Sequence, residues 1–266
     1  MTRPAEQPSF DDLRAALDDS HDRLVAALSP LDPEQVAAPS YDDGWTIAQV
    51  ASHLGSGAEI FALFLEAGVA HTPAPGADAF GPVWDQWNAK TATAQAADAV
   101  IADAAFLDRL DTLSADEQQQ WRLDMFGSEQ NLTGLLQMRL GEHALHTWDI
   151  VVALDAHARV SAAATRLLID AVAGIVDRAG KPATSPRRVH VTTTDPERAF
   201  HLDIDSDGAR LSPTDAGGDD GDGRLQLPAE AFIRLVYGRL DPAHTPAAAV
   251  ADGVSLDELR STFPGI

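Results

Sequence analysis

Three side chains of metal-ligating type lie in two apolar stretches of this chain. They are His53 in the first stretch and Glu142 and His146 in the second. Glu142 and His146 are four residues apart, so on a helix they lie one turn apart on the same face. Two imidazoles and one carboxylate are a common ligand set for a catalytic zinc that keeps one coordination position open. If the three side chains converge, the chain is a metalloenzyme.

Two neighbours of this pair can contribute to the same site. His143 is a competing ligand, but it points about 100° away from Glu142 on a helix, and we expect it to face solvent or a neighbouring helix. Asp149 lies one turn beyond His146 on the same face. It either orients an imidazole by accepting its second N–H or simply caps the polar patch. Polar groups on an apolar helix face need partners, and a bound metal meets that need.

The helix that carries His53 is predicted to begin at Thr46, where Gln49 three residues later completes a capping box. Gly55 and Gly57 each cost roughly 1 kcal/mol relative to alanine inside a helix. That cost is understandable if another group approaches the backbone closely beside His53. The face opposite the apolar stripe is expected to be solvated and consists of Ser52, Ser56, Glu59 and Glu66.

Periodicity divides the chain into a helical part and a mixed part. Helices are predicted from Ser9, from Thr46, and over about 84–112, 131–155 and 161–179. Short β-branched segments follow at 187–194, 198–205, 209–212 and 225–227, with helices at 229–240 and 255–263. We therefore predict a four-helix-type bundle over residues 1–182 and a small α+β domain over 187–266.

Composition limits the classes of function. There are 19 basic and 41 acidic residues, a formal charge of −22, which repels nucleic-acid phosphates and anionic membranes. The absence of cysteine excludes disulfides and thiolate ligands. Neither a signal peptide nor a membrane-spanning run is present, so we expect a cytoplasmic protein. The Asp- and Gly-rich segment at 215–223 lacks the EF-hand spacing and is predicted to be an acidic hairpin loop. In the last domain, Arg234 or Arg239 could bind an anionic substrate bidentately.

Several of these motifs together resemble the mycothiol-dependent maleylpyruvate isomerase family, one of the DinB-like four-helix-bundle metalloproteins. The resemblance is carried by the Gly-Trp-Thr sequence at 44–46 ahead of His53, and by Glu142, His146 and Asp149 in their spacing. The C-terminal part is also similar, with strand pairs around an Asp-Pro turn at 195–196, the segment 232–239, and the Asp-Gly and Phe-Pro-Gly sequences at 252–253 and 263–265.

The resemblance implies a divalent metal, usually zinc, held by His53, Glu142 and His146, with mycothiol as the thiol cosubstrate. In the isomerase the thiol adds to the cis double bond of maleylpyruvate, the new single bond rotates, and elimination gives the trans product. Related proteins transfer the thiol to other small electrophiles. An arginine of the C-terminal domain is implied to bind the substrate, and Arg239 is the best match. The partners implied are small molecules, with a monomer or homodimer as the assembly.

Three other readings of the same residues remain open. A non-catalytic protein that binds a metal or a small ligand would keep the three ligands without turnover. A metal-assisted hydrolase would use them to activate water. A purely structural bundle would satisfy its polar face with hydrogen bonds and would bind no stoichiometric metal.

Overall fold

A computed structural model describes residues 7–125, 127–214 and 221–265. The chain separates into two compact units, one formed by Pro8–Ala158 and the other running from Arg159 to the C-terminus. The first unit is helical and the second contains a mixed sheet, so the predicted class, a helical bundle followed by an α+β part, is confirmed. Within the described residues, no helix is long and apolar enough to cross a membrane.

The N-terminal unit is built from helices joined by short connections, with one small hairpin before the last helix. Its elements are α1 (Phe10–Leu28), α2 (Pro33–Val36), α3 (Ile47–Val69), α4 (Ala77–Asn88), α5 (Ala92–Asp111), α6 (Ala115–Gln120), β1 (Arg122–Met125), β2 (Ser128–Asn131) and α7 (Leu132–Leu154). The core lies between α1, α3, α5 and α7, and leucine, alanine and valine side chains dominate it.

Local capping explains where the long helices begin. Ser9 and Thr46 each accept a hydrogen bond from the third main-chain N–H of their helix, and Asp12 and Gln49 return one, so both capping boxes are present. The predicted helix over 84–112 is instead two helices. Thr91 interrupts it as the N-cap of α5, accepting a hydrogen bond from the N–H of Ala94.

Two small residues that were expected to face solvent are buried. Ser52 and Ser56 are 5% and 3% exposed. The prediction of a solvated face was wrong here because small side chains let neighbouring helices pack closely on α3. Trp87 of α4 illustrates this packing: a Cβ on Gly55 would lie 2.1 Å from its Cη2 atom. The glycine is therefore needed for a tryptophan, not for a ligand.

The C-terminal unit is a five-stranded sheet with helices packed on it. Its elements are α8 (Ala162–Leu168), α9 (Ala173–Ala179), β3 (Arg187–Thr194), β4 (Arg198–Asp205), β5 (Gly208–Pro213), β6 (Gly223–Pro228), α10 (Ala229–Val236), β7 (Val250–Asp252) and α11 (Leu256–Thr262). The strand order is β5-β4-β3-β6-β7, antiparallel except for the parallel β3–β6 pair. Phe200 of β4 stacks on Phe232 of α10, with ring centroids 6.0 Å apart, which places α10 against the apolar side of the sheet.

The predicted domain boundary differs from the break between these units. The sequence placed 161–179 with the bundle as one helix, whereas the structure has two short helices there, α8 and α9. Both contact α10, and α9 also contacts β5, so they belong to the compact unit of the sheet. Helical periodicity identifies an amphipathic face but does not say which partner covers it, and this is why the two boundaries differ.

Candidate metal centre

His53 lies in the second turn of α3, on the flank of its apolar stripe. Its side chain is 38% exposed, and its ring contacts the ring of Trp45 edge-on, with centroids 5.7 Å apart. The capping box at Thr46 sets the start of α3 and thereby the angular position of His53. The first predicted ligand is therefore held on a well-formed helix with one side open to solvent.

Glu142 and His146 project from one face of α7, as their spacing predicts. The Glu142 carboxylate lies 3.4 Å from Nε2 of His53 and 3.7 Å from Nε2 of His146. The rings of the two histidines are 4.5 Å apart between centroids. The structure therefore brings together the three side chains that the sequence singled out.

The spacing of the three ligand atoms fits a single ion. Metal–ligand bonds of about 2.0–2.2 Å in a tetrahedral zinc site put ligand atoms about 3.3–3.6 Å apart. Here all three ligand atoms lie within 4.8 Å of one another. The Glu142 carboxylate, 3.4 Å from Nε2 of His53 and 3.7 Å from Nε2 of His146, is already at about the zinc spacing. Because 38% of His53 and 48% of Glu142 are exposed, a fourth position remains accessible from solvent.

The other nitrogen of His146 is held by carboxylates. Its Nδ1 atom lies 2.9 Å from Oδ2 of Asp149, which is fully buried, and 3.3 Å from Oδ2 of Asp42. Asp42, His146 and Asp149 also form a second possible ligand group. A carboxylate that accepts from Nδ1–H fixes the tautomer in which Nε2 is free to bind a metal. We therefore read this second group as the support of the first.

Asp42 was not identified from the sequence. It reaches His146 because the loop before α3 folds back on itself: the N–H of Ser40 donates to the carbonyl of Trp45, and Gly44 has φ +79°. The N–H of Tyr41 also donates to the carbonyl of Asp149, which ties this loop to α7. The only local signal was the Asp-Asp-Gly turn ahead of the helix, and a turn alone does not indicate a ligand.

Electrostatics keep Glu142 ionised. Partial burial raises its pKa, but the hydrogen bond with His53 and the charges of His146, His53 and Arg139 outweigh this, so the Glu142 pKa lies below its ordinary value. Almost half of the side chain remains exposed, so solvent screens part of these interactions. The carboxylate is thus ready to act as a ligand at neutral pH.

His143 faces the opposite way, into the bundle, and is not a ligand of this site. It is fully buried, its Nδ1 is 2.7 Å from Oγ of Ser20 on α1, and its Nε2 is 3.0 Å from Asp103 of α5. Burial lowers the pKa of His143, more than the neighbouring Asp103 raises it. His143 is therefore neutral and joins α7 to neighbouring helices, one of the two outcomes expected for it.

Asp103 is the acidic centre of this buried cluster. Its carboxylate accepts from Nη2 of Arg139 at 2.7 Å and lies 2.8 Å from Nδ1 of His21. Burial raises the pKa of Asp103, but the facing groups of His143, His21 and Arg139 hold it well below its ordinary value. Of these groups only Arg139 is permanently charged, so its contribution to keeping Asp103 ionised does not depend on pH.

Comparison with known protein families gives this arrangement a context. The model of the mycothiol maleylpyruvate isomerase N-terminal domain matches residues 17–151, just over half of the chain. This chain belongs to that family. The matched residues include the three candidate ligands and both carboxylates that contact His146. A search of curated proteins finds no match.

The fold of this family member also matches solved structures over both units. A crystal structure of the mycothiol-dependent maleylpyruvate isomerase aligns with a TM-score of 0.65 at 16% identity, covering 94% of this chain and 95% of that one. The crystal structure of a histidine-to-alanine mutant of that isomerase aligns with a TM-score of 0.64 at 15% identity over the same shares. At this identity the likeness establishes the fold.

The two arginines considered for substrate binding have different environments in this family member. Arg234 is 2% exposed and donates to both carboxylate oxygens of Glu230, at 2.8 and 3.1 Å. It also donates to the carbonyls of Arg239 and His244. Arg234 is thus a structural residue that holds the loop after α10. Arg239 is partly exposed in that loop, with Nη1 donating to the carbonyl of Tyr237 at 3.0 Å.

The predicted acidic loop at 215–223 falls mostly outside the described residues.

Proposed function

We propose that this protein is a mycothiol-dependent metalloenzyme acting on a small electrophile, by cis–trans isomerisation or by thiol transfer. His53, Glu142 and His146 would hold one divalent metal, zinc being the best fit to two imidazoles and a carboxylate. The observation that carries the proposal is the convergence of these three ligand atoms within 4.8 Å. Membership of the isomerase family supports the choice of mycothiol and of a substrate such as maleylpyruvate.

The chain's own residues supply the framework for this chemistry. When bound, a divalent metal lowers the pKa of a coordinating thiol and stabilises its thiolate. His53 and Glu142 leave one side of the site exposed, which gives a thiol and an electrophile access. Asp149 and Asp42 hold the Nδ1 proton of His146, so that its Nε2 lone pair points to the site. No cysteine is present in the chain, which agrees with a thiol that comes from a cosubstrate.

Arg239 is proposed to bind a carboxylate of the substrate. Its guanidinium is partly exposed, and its main chain is held firmly, because its N–H donates to the carbonyl of Arg234 at 2.6 Å. A planar guanidinium recognises a carboxylate through two parallel hydrogen bonds. Arg239→Met should therefore raise KM for an anionic substrate, while Arg210→Met, a change at an exposed arginine of β5, should leave it unchanged.

Metal content tests the site directly. Elemental mass spectrometry of purified, tag-free protein should find about one zinc per chain, and His53→Ala and Glu142→Ala should each lose it. His157→Ala, a change at an exposed histidine outside the ligand group, is the matched control and should keep the metal. No zinc in the wild type, even after reconstitution, would refute the proposal and favour a structural bundle.

Turnover then separates the possible activities. With mycothiol and maleylpyruvate, the zinc-loaded protein should catalyse thiol-dependent isomerisation, or consume thiol in the presence of another electrophile. Metal-dependent turnover that needs no thiol would instead indicate hydrolysis by activated water. A protein that binds zinc and catalyses none of these reactions would be a metal-binding module.

A further inference from the structure

Arg139 is a buried cation directly behind the candidate metal centre. Its side chain is 1% exposed, which is rare for arginine and requires compensating partners. One partner is Asp103 of α5, at 2.7 Å from Nη2. The other is the main-chain carbonyl of Leu54 in α3, to which the same Nη2 donates at 3.1 Å. Arg139 itself is in α7, so one side chain joins three helices of the bundle.

Both ends of this connection are next to the proposed ligands. Leu54 directly follows His53 in α3, and Arg139 precedes Glu142 by three residues, which is about one turn of α7. The hydrogen bond from Arg139 to Leu54 therefore joins the two ligand-bearing helices at the level of the site. Loss of this bond would allow His53 to move relative to Glu142 and His146.

The surroundings of the guanidinium leave it little freedom. A Cβ on Gly57 would lie 3.0 Å from Nη1 of Arg139, and apart from the two chain neighbours of Gly57 no other described side chain lies within 4 Å of that position. The rings of Phe61 and Phe106 are 5.7 and 5.9 Å from the guanidinium carbon, measured to their centroids. Glycine at 57 thus makes room for Arg139, which accounts for one of the two glycines beside His53.

We propose that Arg139 is a positioning residue that sets the distance between His53 and the Glu142–His146 pair. Asp103 is its counter-ion, and the absence of a side chain at Gly57 leaves space for its guanidinium. This inference rests on the proposed function, because it assumes that these three side chains bind a metal. A zinc site tolerates deviations of only about 0.2 Å in its bond lengths. A site shared between two helices therefore depends on what fixes their separation.

Two substitutions test the proposal without removing a buried charge. Arg139→Lys keeps the cation beside Asp103, but a compact ammonium does not reproduce the planar fork of a guanidinium. Gly57→Ala keeps every partner, and its new methyl group pushes on Nη1 alone. In both variants we expect the zinc Kd to rise by about tenfold or more, the size of effect seen when groups supporting metal ligands are altered.

Cobalt gives a readout that a merely structural role would not change. With Co²⁺ in place of Zn²⁺, the visible absorption of the site reports its coordination number and symmetry. We expect a different spectrum in Arg139→Lys and Gly57→Ala while circular dichroism shows a folded bundle. The matched control is Arg109→Lys. Nε of Arg109 lies 2.6 Å from a carboxylate oxygen of Glu66, so this solvent-accessible ion pair also joins α5 to α3. Its zinc Kd and cobalt spectrum should equal those of the wild type.

The outcomes distinguish this inference from the proposed function. A wild type that binds neither Zn²⁺ nor Co²⁺ would refute both. A wild type that binds them, with Kd values within twofold and identical cobalt spectra in both variants, would refute the positioning role alone. If Arg139→Lys does not fold, Gly57→Ala decides, because it leaves the ion pair intact and replaces a helical glycine by a better helix former.

Discussion

Asp149→Asn is the sharpest single test of how His146 is held. The buried carboxylate accepts from Nδ1 of His146 at 2.9 Å, and the substitution replaces a charged acceptor by a neutral amide oxygen of the same shape. A hydrogen bond to a charged group contributes about 1.5–3 kcal/mol, and one between neutral groups about 0.5–1.5 kcal/mol. The difference is about 1–1.5 kcal/mol, so the zinc Kd should rise about tenfold.

Asp42 gives a second test of the predicted rise in the zinc Kd. Its carboxylate is 3.3 Å from the same Nδ1 atom and is 27% exposed, so it can take over part of the role of Asp149. We therefore expect the double variant Asp42→Asn/Asp149→Asn to lose more than Asp149→Asn alone, up to about 100-fold in zinc affinity. A single imidazole shared by two carboxylates should also make the two effects non-additive.

The assay is a competition titration in which a chromophoric chelator and the protein compete for zinc at a fixed pH. The matched control is Asp241→Asn, because Asp241 makes the same local contact with His244: its Oδ2 is 2.8 Å from Nδ1, and the partners are again three positions apart in the sequence. His244 is outside the proposed ligand set, so the control should bind zinc as the wild type does. Zinc affinity within twofold of the wild type in both Asp149→Asn and the double variant would refute the reasoning.

Two predictions concern stability. Gly68→Ala places a Cβ 2.1 Å from Cε2 of the buried Trp121 and should lower the free energy of unfolding by about 2–4 kcal/mol, measured by urea denaturation. Gly174→Ala, where the nearest atom is 3.9 Å away, is the control and should be neutral or stabilising by up to about 1 kcal/mol. The hydrogen bond with Asp103 raises the pKa of His21 and outweighs the opposite effect of burial. The protonated His21 therefore stabilises the fold fully below its unfolded pKa of about 6.5, and this stabilisation is lost as pH rises through the folded pKa. Over this pH range the free energy of unfolding of His21→Ala should fall less than that of the wild type. A variant with the same pH dependence as the wild type would contradict the assignment to His21.

Elements with strong local signals were predicted closely. The capping boxes at Ser9 and Thr46 are as expected, and the strands at 187–194 and 198–205 have the predicted bounds. The β1–β2 hairpin was missed because each strand has only four residues and β2 is polar throughout, so the alternation in β1 is too short to stand out. The division of 84–112 into two helices was missed because Thr91 is acceptable inside a helix as well as at its N-cap.

The candidate site shows the same division between local and non-local information. The Glu142–His146 pair follows from helical periodicity, and the capping box that positions His53 is local as well. Asp42 and Arg139 act through contacts with residues about 100 positions away or on other helices. Such partners depend on loop closure and helix packing, for which a single sequence contains no direct signal.

The sequence by itself determined the types of the candidate ligands and the helix faces from which they project, because helical geometry repeats every 3.6 residues whatever surrounds the helix. It also indicated a close approach of another group at Gly55 and Gly57, since glycine is costly inside a helix. Only the tertiary structure decided that these neighbours are Trp87 and Arg139, that His143 turns into the core, and that the three ligand atoms converge. The physical reason is that close packing of helices sets the distances between side chains remote in sequence, and a metal site depends on those distances.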